Sequence, residues 1–196
     1  HKRSGAAAQT GPAVSSTALD NSYVVMWTDN RADDLHNVYA QRYDASGSRL
    51  WPVEIRINGS QTAFLRTARF AFDLSGNMLV AWCRYPSLQV AMQKIDINGN
   101  SLWAEEVALP GYTTIPPLLA TSSTGSVFVG WVEWVGSQYS DIYLQFLDNK
   151  GAPIWLDPIK VNDVQAATTG DKLAIVVDGA NNVIIFWTDN RSGDYN

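Results

Sequence analysis

A spacing of 52 residues runs through this chain and limits what it can fold into. The segments VYAQRYDASGSRLW, VAMQKIDINGNSLW and IYLQFLDNKGAPIW begin at Val38, Val90 and Ile142, each 52 residues after the one before. Four columns keep that step. They are Gln41, Gln93 and Gln145; Asp44, Asp96 and Asp148; Gly47, Gly99 and Gly151; and Trp51, Trp103 and Trp155. A weaker column joins Gln9 to Gln61 and, 104 residues further on, Gln165, with Thr113 in the slot between. A fixed period of this length marks a repeat architecture, in which one unit cannot bury its apolar surface alone and neighbouring units stack to do so.

A second motif precedes each segment. Trp27, Trp82, Trp131 and Trp187 close the apolar runs YVVMW, MLVAW, VFVGW and VIIFW, at spacings of 55, 49 and 56. Small insertions and deletions therefore fall between repeats. Each unit reads as four short strands, which in the second unit cover about residues 67–73, 77–84, 88–96 and 105–109. DLSGN and DINGN supply Gly/Asn turns between them, and Pro110 and Gly111 end the unit. No segment shows the 3.6-residue periodicity of an amphipathic helix.

Four strands in about 50 residues is the size of a β-propeller blade. The fold class is therefore all-β, a propeller of four-stranded antiparallel blades with about three and a half present. The chain is one propeller segment, with blades at about 8–59, 60–110 and 111–163 and a partial blade at 164–196. The runs before each Trp are apolar at nearly every position, as expected of strands covered on both faces. The third strands alternate less cleanly, which predicts a more exterior position. An open arc leaves exposed strand edges. The expected partner is therefore the rest of a longer propeller chain, with other copies completing the ring as the alternative.

Composition agrees. Hydrophobic residues are 46% of the 196 and charged residues 17%, which excludes a disordered chain. Eight Trp and eight Tyr favour strands. A net charge of −5 argues against a nucleic-acid surface. No apolar run approaches the roughly 20 residues that span a membrane. His1 to Thr10 has no apolar core of a secretion signal. Cys83 is the single cysteine, so no internal disulfide and no cysteine-based metal site is expected. Its apolar setting favours a buried, inert thiol.

WTDNR, DIYLQ and VYAQRYDASGSRLW resemble the blades of bacterial secreted and cell-surface β-propeller proteins. Those carry Trp-x-Asp-x-Arg, then Asp-Ile-Tyr-x-Gln-Arg, then a Gly turn and Trp. The resemblance covers most of the chain and implies an extracellular or cell-surface location. The Asp…Gly…Trp turn is also similar to the Asp-box of sialidase-like propellers. It departs from that motif because Ala45, Ile97 and Asn149 stand two residues before the Gly, where the Asp-box needs Asp. It resembles the Trp-docking turn of quinoprotein propellers too, one residue short.

Several columns are candidates for chemistry. Trp51, Trp103 and Trp155 suit either sugar stacking or packing, and packing that locks the last strand to the turn is favoured. Gln41, Gln93 and Gln145 are expected to bond between blades, because a buried amide must find partners. Two residues after each second-strand Trp stand Asp29, Arg84, Glu133 and Asp189, all charged. Residues i, i+2 and i+4 of a strand share a face, so Arg31 and Arg191 join them. Asp29, Arg31, Arg84, Glu133, Asp189 and Arg191 are thus the candidate ligand-binding set, on the propeller face where the second strands exit. A local reading is favoured over it: Asp29 caps its turn and pairs with Arg31, and Asp189 does the same with Arg191. Pro86 and Val135 break the arginine column. Asp33, Asp34 and Asp194 lie in oxygen-rich loops and are candidate Ca²⁺ ligands, without the spacing of a known calcium loop. No other metal or cofactor is expected.

Catalysis has little support in the residues. The histidines are His1 and His36, and no Ser-His-Asp set, phosphate loop or histidine metal cluster is visible. The expectation is a non-catalytic extracellular binding or scaffold module, taking a carbohydrate or protein ligand. The alternative is part of a carbohydrate-active, sialidase- or glycosidase-like propeller enzyme, with Asp29, Glu133 and Asp189 converging as carboxylates. A second alternative is a structural subunit of a cell-surface assembly.

Overall fold

The turns set the hairpins. Asp44 Oδ1 accepts the backbone N–H groups of Ser46 and Ser48 at 2.8 and 2.9 Å. Asp96, Asp148 and Asp178 each do the same for the residues two and four further on. In the first three of these turns Gly47, Gly99 and Gly151 take φ of 85°, 91° and 86°, a backbone state that suits glycine. The aspartate and glycine columns are therefore turn-formers, with the carboxylate standing in for a backbone acceptor.

A computed structural model describes residues 9–17, 19–29, 37–59, 68–84, 86–135, 139–163 and 173–188. Three antiparallel sheets of four strands follow one another. The first holds β1 (Gln9–Ser16), β2 (Tyr23–Asp29), β3 (Asn37–Tyr43) and β4 (Ile55–Arg56). The second holds β5 (Arg69–Phe72), β6 (Met78–Cys83), β7 (Val90–Ile95) and β8 (Val107–Ala108). The third holds β9 (Leu118–Thr121), β10 (Val127–Val135), β11 (Tyr139–Leu147) and β12 (Ile159–Lys160). A hairpin of β13 (Leu173–Val177) and β14 (Val183–Trp187) comes last. Strand order equals chain order in every sheet, which is the meander of a propeller blade. β5 lies beside β9 and β9 beside β13, so the first strand of the second, third and fourth blades is the innermost.

The core sits between blades. Val24, Met26, Val38 and Ala40 of the first pack against Met78, Val80, Trp82 and Ala91 of the second. Leu79, Ala81, Val90 and Met92 of the second pack against Val127, Val129 and Trp131 of the third. Alternate residues of β6 thus serve two different cores, which is why the run MLVAWC is apolar throughout. The third strands stand outward of the second in each sheet yet are not exposed: β7 is buried at every position and β3 at all but Tyr43. Both lie between two neighbours of their own sheet, and the side chains of β7 reach both junctions of its blade.

The staples reach further than expected. Trp51 Nε1 donates to Ile97 O at 3.0 Å and Trp103 Nε1 to Asn149 O at 3.1 Å. These tryptophans tie one blade to the turn of the next, rather than the last strand to its own turn. The glutamines do the opposite. Gln93 Nε2 and Gln145 Nε2 donate to Trp103 O and Trp155 O, so they bond within a blade and not between blades. A cation follows Gln41 and Gln93. Arg42 Nη1 donates to Ile97 O at 2.7 Å, and Lys94 Nζ to Gly125 O at 3.2 Å, each bridging to the next blade. Lys94 also pairs with Asp73 at 2.8 Å, where their side chains are only 5% and 3% exposed.

Candidate functional site

The second strands of the first three blades leave their sheets at the same end, and each brings one charged residue there. Asp29 stands opposite Asn37 at the end of β2, and Glu133 opposite Asp141 in β10. Arg84 directly follows β6. The structure therefore places Asp29, Arg84 and Glu133 on one end of three successive blades, as the column predicted. Arg31, Asp189 and Arg191 lie outside the described residues, as do the calcium candidates Asp33, Asp34 and Asp194. Among the described residues no group of three or more His, Cys, Asp or Glu is arranged to hold a metal ion.

The two described carboxylates of the column, Asp29 and Glu133, are each bound to the tryptophan two residues before them. Trp27 Nε1 donates to Asp29 Oδ2 at 3.1 Å, and Trp131 Nε1 to Glu133 Oε1 at 2.9 Å. The pattern follows from the pleat, which sets residues i and i+2 on one face. Both indoles carry a stacked tyrosine from the neighbouring strand, Tyr39 on Trp27 at 6.2 Å and Tyr143 on Trp131 at 5.9 Å. Trp, Tyr and acid form one unit in blades one and three.

Blade two departs from it. Arg84 stands in the acid position and Ala91 in that of the tyrosine, paired with Trp82. Arg84 Nη2 is held by Glu106 Oε2 at 2.6 Å. The other oxygen of Glu106 accepts the Gly59 N–H. Trp82 Nε1 and Arg84 Nε are buried and have no hydrogen-bond partner among the described residues.

The third blade carries the densest group. Glu133 Oε1 also accepts the Tyr112 N–H at 3.1 Å, and the Tyr112 hydroxyl donates to Trp134 O at 3.2 Å. Gly111 makes this crossing fit: its φ is 92°, and a Cβ there would collide with Glu133 Oε1. Asp141 pairs with Lys160 at 2.8 Å. Burial, then the charges of Glu133 and Asp141, raise the Tyr143 phenol above its ordinary value, so it is neutral and a proton donor at neutral pH. An exposed tyrosine, a neutral phenol and two carboxylates make a surface suited to hydroxyl-rich ligands.

Cys83 takes no part. Its Sγ donates to Thr113 O at 2.7 Å, and burial pushes its pKa up to about 11, so it is the inert thiol that its setting suggested.

Other residues at this end escaped the reading of the sequence. Asn58 Oδ1 accepts the Val38 N–H at 2.8 Å and Asn162 Oδ1 accepts the Ile142 N–H at 2.7 Å, latching the fourth strand's tail onto the third. They are 104 residues apart, twice the period, and that spacing was the available signal. Tyr39, Ala91 and Tyr143 also keep the 52-residue step. Glu106 keeps the same step from Glu54, but its bonds to Arg84 and to the Gly59 N–H could not be read from that spacing.

The fold and its ring of strand ends define a partial β-propeller. Compared with protein-family models and with curated proteins, the sequence matches none. Solved structures do match. An endo-arabinase from Bacteroides thetaiotaomicron is 13% identical with a TM-score of 0.50, over 94% of this chain and 71% of that one. An exo-β-1,3-galactanase from Clostridium thermocellum is 10% identical with a TM-score of 0.54, over 93% of this chain and 42% of that one. An α-L-arabinofuranosidase from Lactobacillus brevis is 9% identical with a TM-score of 0.50, over 92% of this chain and 65% of that one. Identities this low establish a shared propeller fold. They also correct the expectation of a non-catalytic module: the solved propellers that this chain matches are glycosidases, so the fold is not one that argues against an enzyme. The Asp-box likeness gains nothing from these neighbours. Among the described residues no helix is long and apolar enough to cross a membrane.

Proposed function

We propose that this chain is a segment of a carbohydrate-active, glycosidase-like propeller that engages a glycan at the end of the blades carrying Asp29, Arg84 and Glu133. The observation that supports the reading most is the likeness to arabinan- and galactan-acting propellers. The local chemistry agrees with it: Tyr112, Tyr143, Glu133 and Asp141 offer an aromatic surface beside carboxylates. In this reading the uncovered faces of the first and fourth blades meet further blades, from a longer chain or from other copies, and the protein works outside the cell.

Glycoside hydrolysis needs one carboxyl group as general acid and a second as base or nucleophile. Asp29 and Glu133 are the candidates from the repeat, with Asp189 as the third. Release of reducing sugar from arabinan and from β-1,3-galactan tests the reading. Turnover of either, lost in Asp29→Asn and Glu133→Gln with the circular dichroism spectrum unchanged, supports it. Full turnover in both variants removes these residues from catalysis, and absence of turnover on either polymer defeats the reading.

A further inference from the structure

Blade two lacks what its neighbours have at one point, and the lack has a definite chemistry. In blades one and three the indole N–H of Trp27 and of Trp131 ends on a carboxylate two residues later. Trp82 sits at the same place in the register, but its i+2 residue, Arg84, is itself a donor. Two N–H groups then share a position that elsewhere holds an acceptor. Trp82 is 0% exposed, and among the described residues neither its Nε1 nor the buried Arg84 Nε has a partner. A buried N–H without an acceptor is costly and rare in folded proteins. Glu106 does not relieve it, because one of its oxygens is on Arg84 Nη2 and the other on the Gly59 N–H.

We propose that Trp82 Nε1 and Arg84 Nε form a slot for the carboxylate of a ligand, taking the place that Asp29 and Glu133 fill in the flanking blades. Arginine presents five N–H donors in a planar fork, so one Arg84 can hold Glu106 through Nη2 and a second carboxylate through Nε. The Arg84 side chain is 24% exposed, which gives the slot its approach from the blade end. Within the glycan reading proposed above, on which the sugar part of the inference rests, the ligand is an acidic sugar of the uronate class.

The test follows the indole N–H resonances of the intact chain by NMR while D-glucuronate, acetate or D-glucose is added. The Trp82 signal is assigned by its disappearance in Trp82→Phe. Arg84→Gln supplies an amide oxygen to Trp82 and removes the cation, so its fold is expected to survive. The expected result is a saturable shift of the Trp82 signal with glucuronate, a weaker one with acetate, and none with glucose. In Arg84→Gln the affinity for glucuronate falls by about tenfold or more, as expected when a charged hydrogen bond is lost. A Trp82 signal that ignores glucuronate, or that responds equally to glucose or in Arg84→Gln, overturns the inference. The two proposals fail separately. Hydrolysis of neutral arabinan or galactan without a glucuronate shift defeats the slot alone, and a shift without any hydrolysis defeats the glycosidase reading alone.

Discussion

β6 and β14 carry equivalent apolar runs, MLVAW and VIIFW, and live in opposite surroundings. Leu79 of β6 and Ile184 of β14 both stand three residues before the blade tryptophan; Leu79 is 0% exposed and Ile184 is 43% exposed. β6 is buried at every position, whereas β14 alternates between half-buried and exposed. The difference lies in what stands next to each strand. The second blade is packed on both faces, by the first and the third. Among the described residues the fourth hairpin has packing on the side of the third blade, and Val176, Ile184 and Phe186 face away from it. An apolar run of this kind therefore encodes two neighbours, and a strand shows period-two burial when only one is there.

This contrast can be probed at paired positions. The largest effect is expected at Lys94→Ala, which leaves the Asp73 carboxylate buried and unpaired, at a cost of about 3–5 kcal/mol in urea unfolding. Asp178, in the same turn column as Asp73, is exposed and has Asn182 as partner, so Asp178→Asn should lower stability much less. Next, Leu79→Ala should cost about 2–5 kcal/mol. Ile184→Ala should stay below about 1 kcal/mol while its face is uncovered, and a larger loss would mean that another surface covers it in solution. Gly111→Ala follows at about 1–3 kcal/mol, from a positive φ and a collision with Glu133. Gly179, with nothing within 4 Å of a built Cβ, should accept alanine within roughly 0.5 kcal/mol. Trp103→Phe should lose about 1 kcal/mol with its bond to Asn149 O. Trp155, whose indole has no such carbonyl from a next blade among the described residues, should lose less on the same change.

The smallest effect is a dependence on pH. Burial opposes ionisation of Asp73, but the bonds from Lys94 and Asn77 outweigh it and hold the carboxyl below its ordinary value. A folded-state pKa below the unfolded one adds stability that is complete above the unfolded value, about 3.9, and is lost as pH falls through the folded one. Melting curves of the wild type should therefore drop below about pH 4, and Asp73→Asn should flatten part of that drop. An unchanged slope in the variant would show that Asp73 is not a source of it.

Much of this was legible in the chain. The 52-residue columns located the blades, and strands β5 to β8 fall within the four stretches read for the second unit. The Asp and Gly columns are turns because their bonds are local, closing over four residues. The partners of Trp51 and Gln93 were misread for a shared reason. A side chain at a blade edge is about equally near its own sheet and the next, and period alone does not say which carbonyl lies in reach. At the candidate site the charged column was visible. That Asp29 and Glu133 answer to their own tryptophans, and Arg84 to Glu106, was not.

Sequence by itself determined the strands, their order, the turns between them and the step from blade to blade, because each rests on contacts within a few residues or on the repeat itself. Tertiary structure alone decided which apolar faces are covered, which blade each tryptophan reaches, and that Trp82 and Arg84 bring two buried donors together without an acceptor. The first two outcomes depend on side chains from blades about 50 residues apart, whose relative placement no local propensity specifies, and the third on the burial of Trp82 against the first blade.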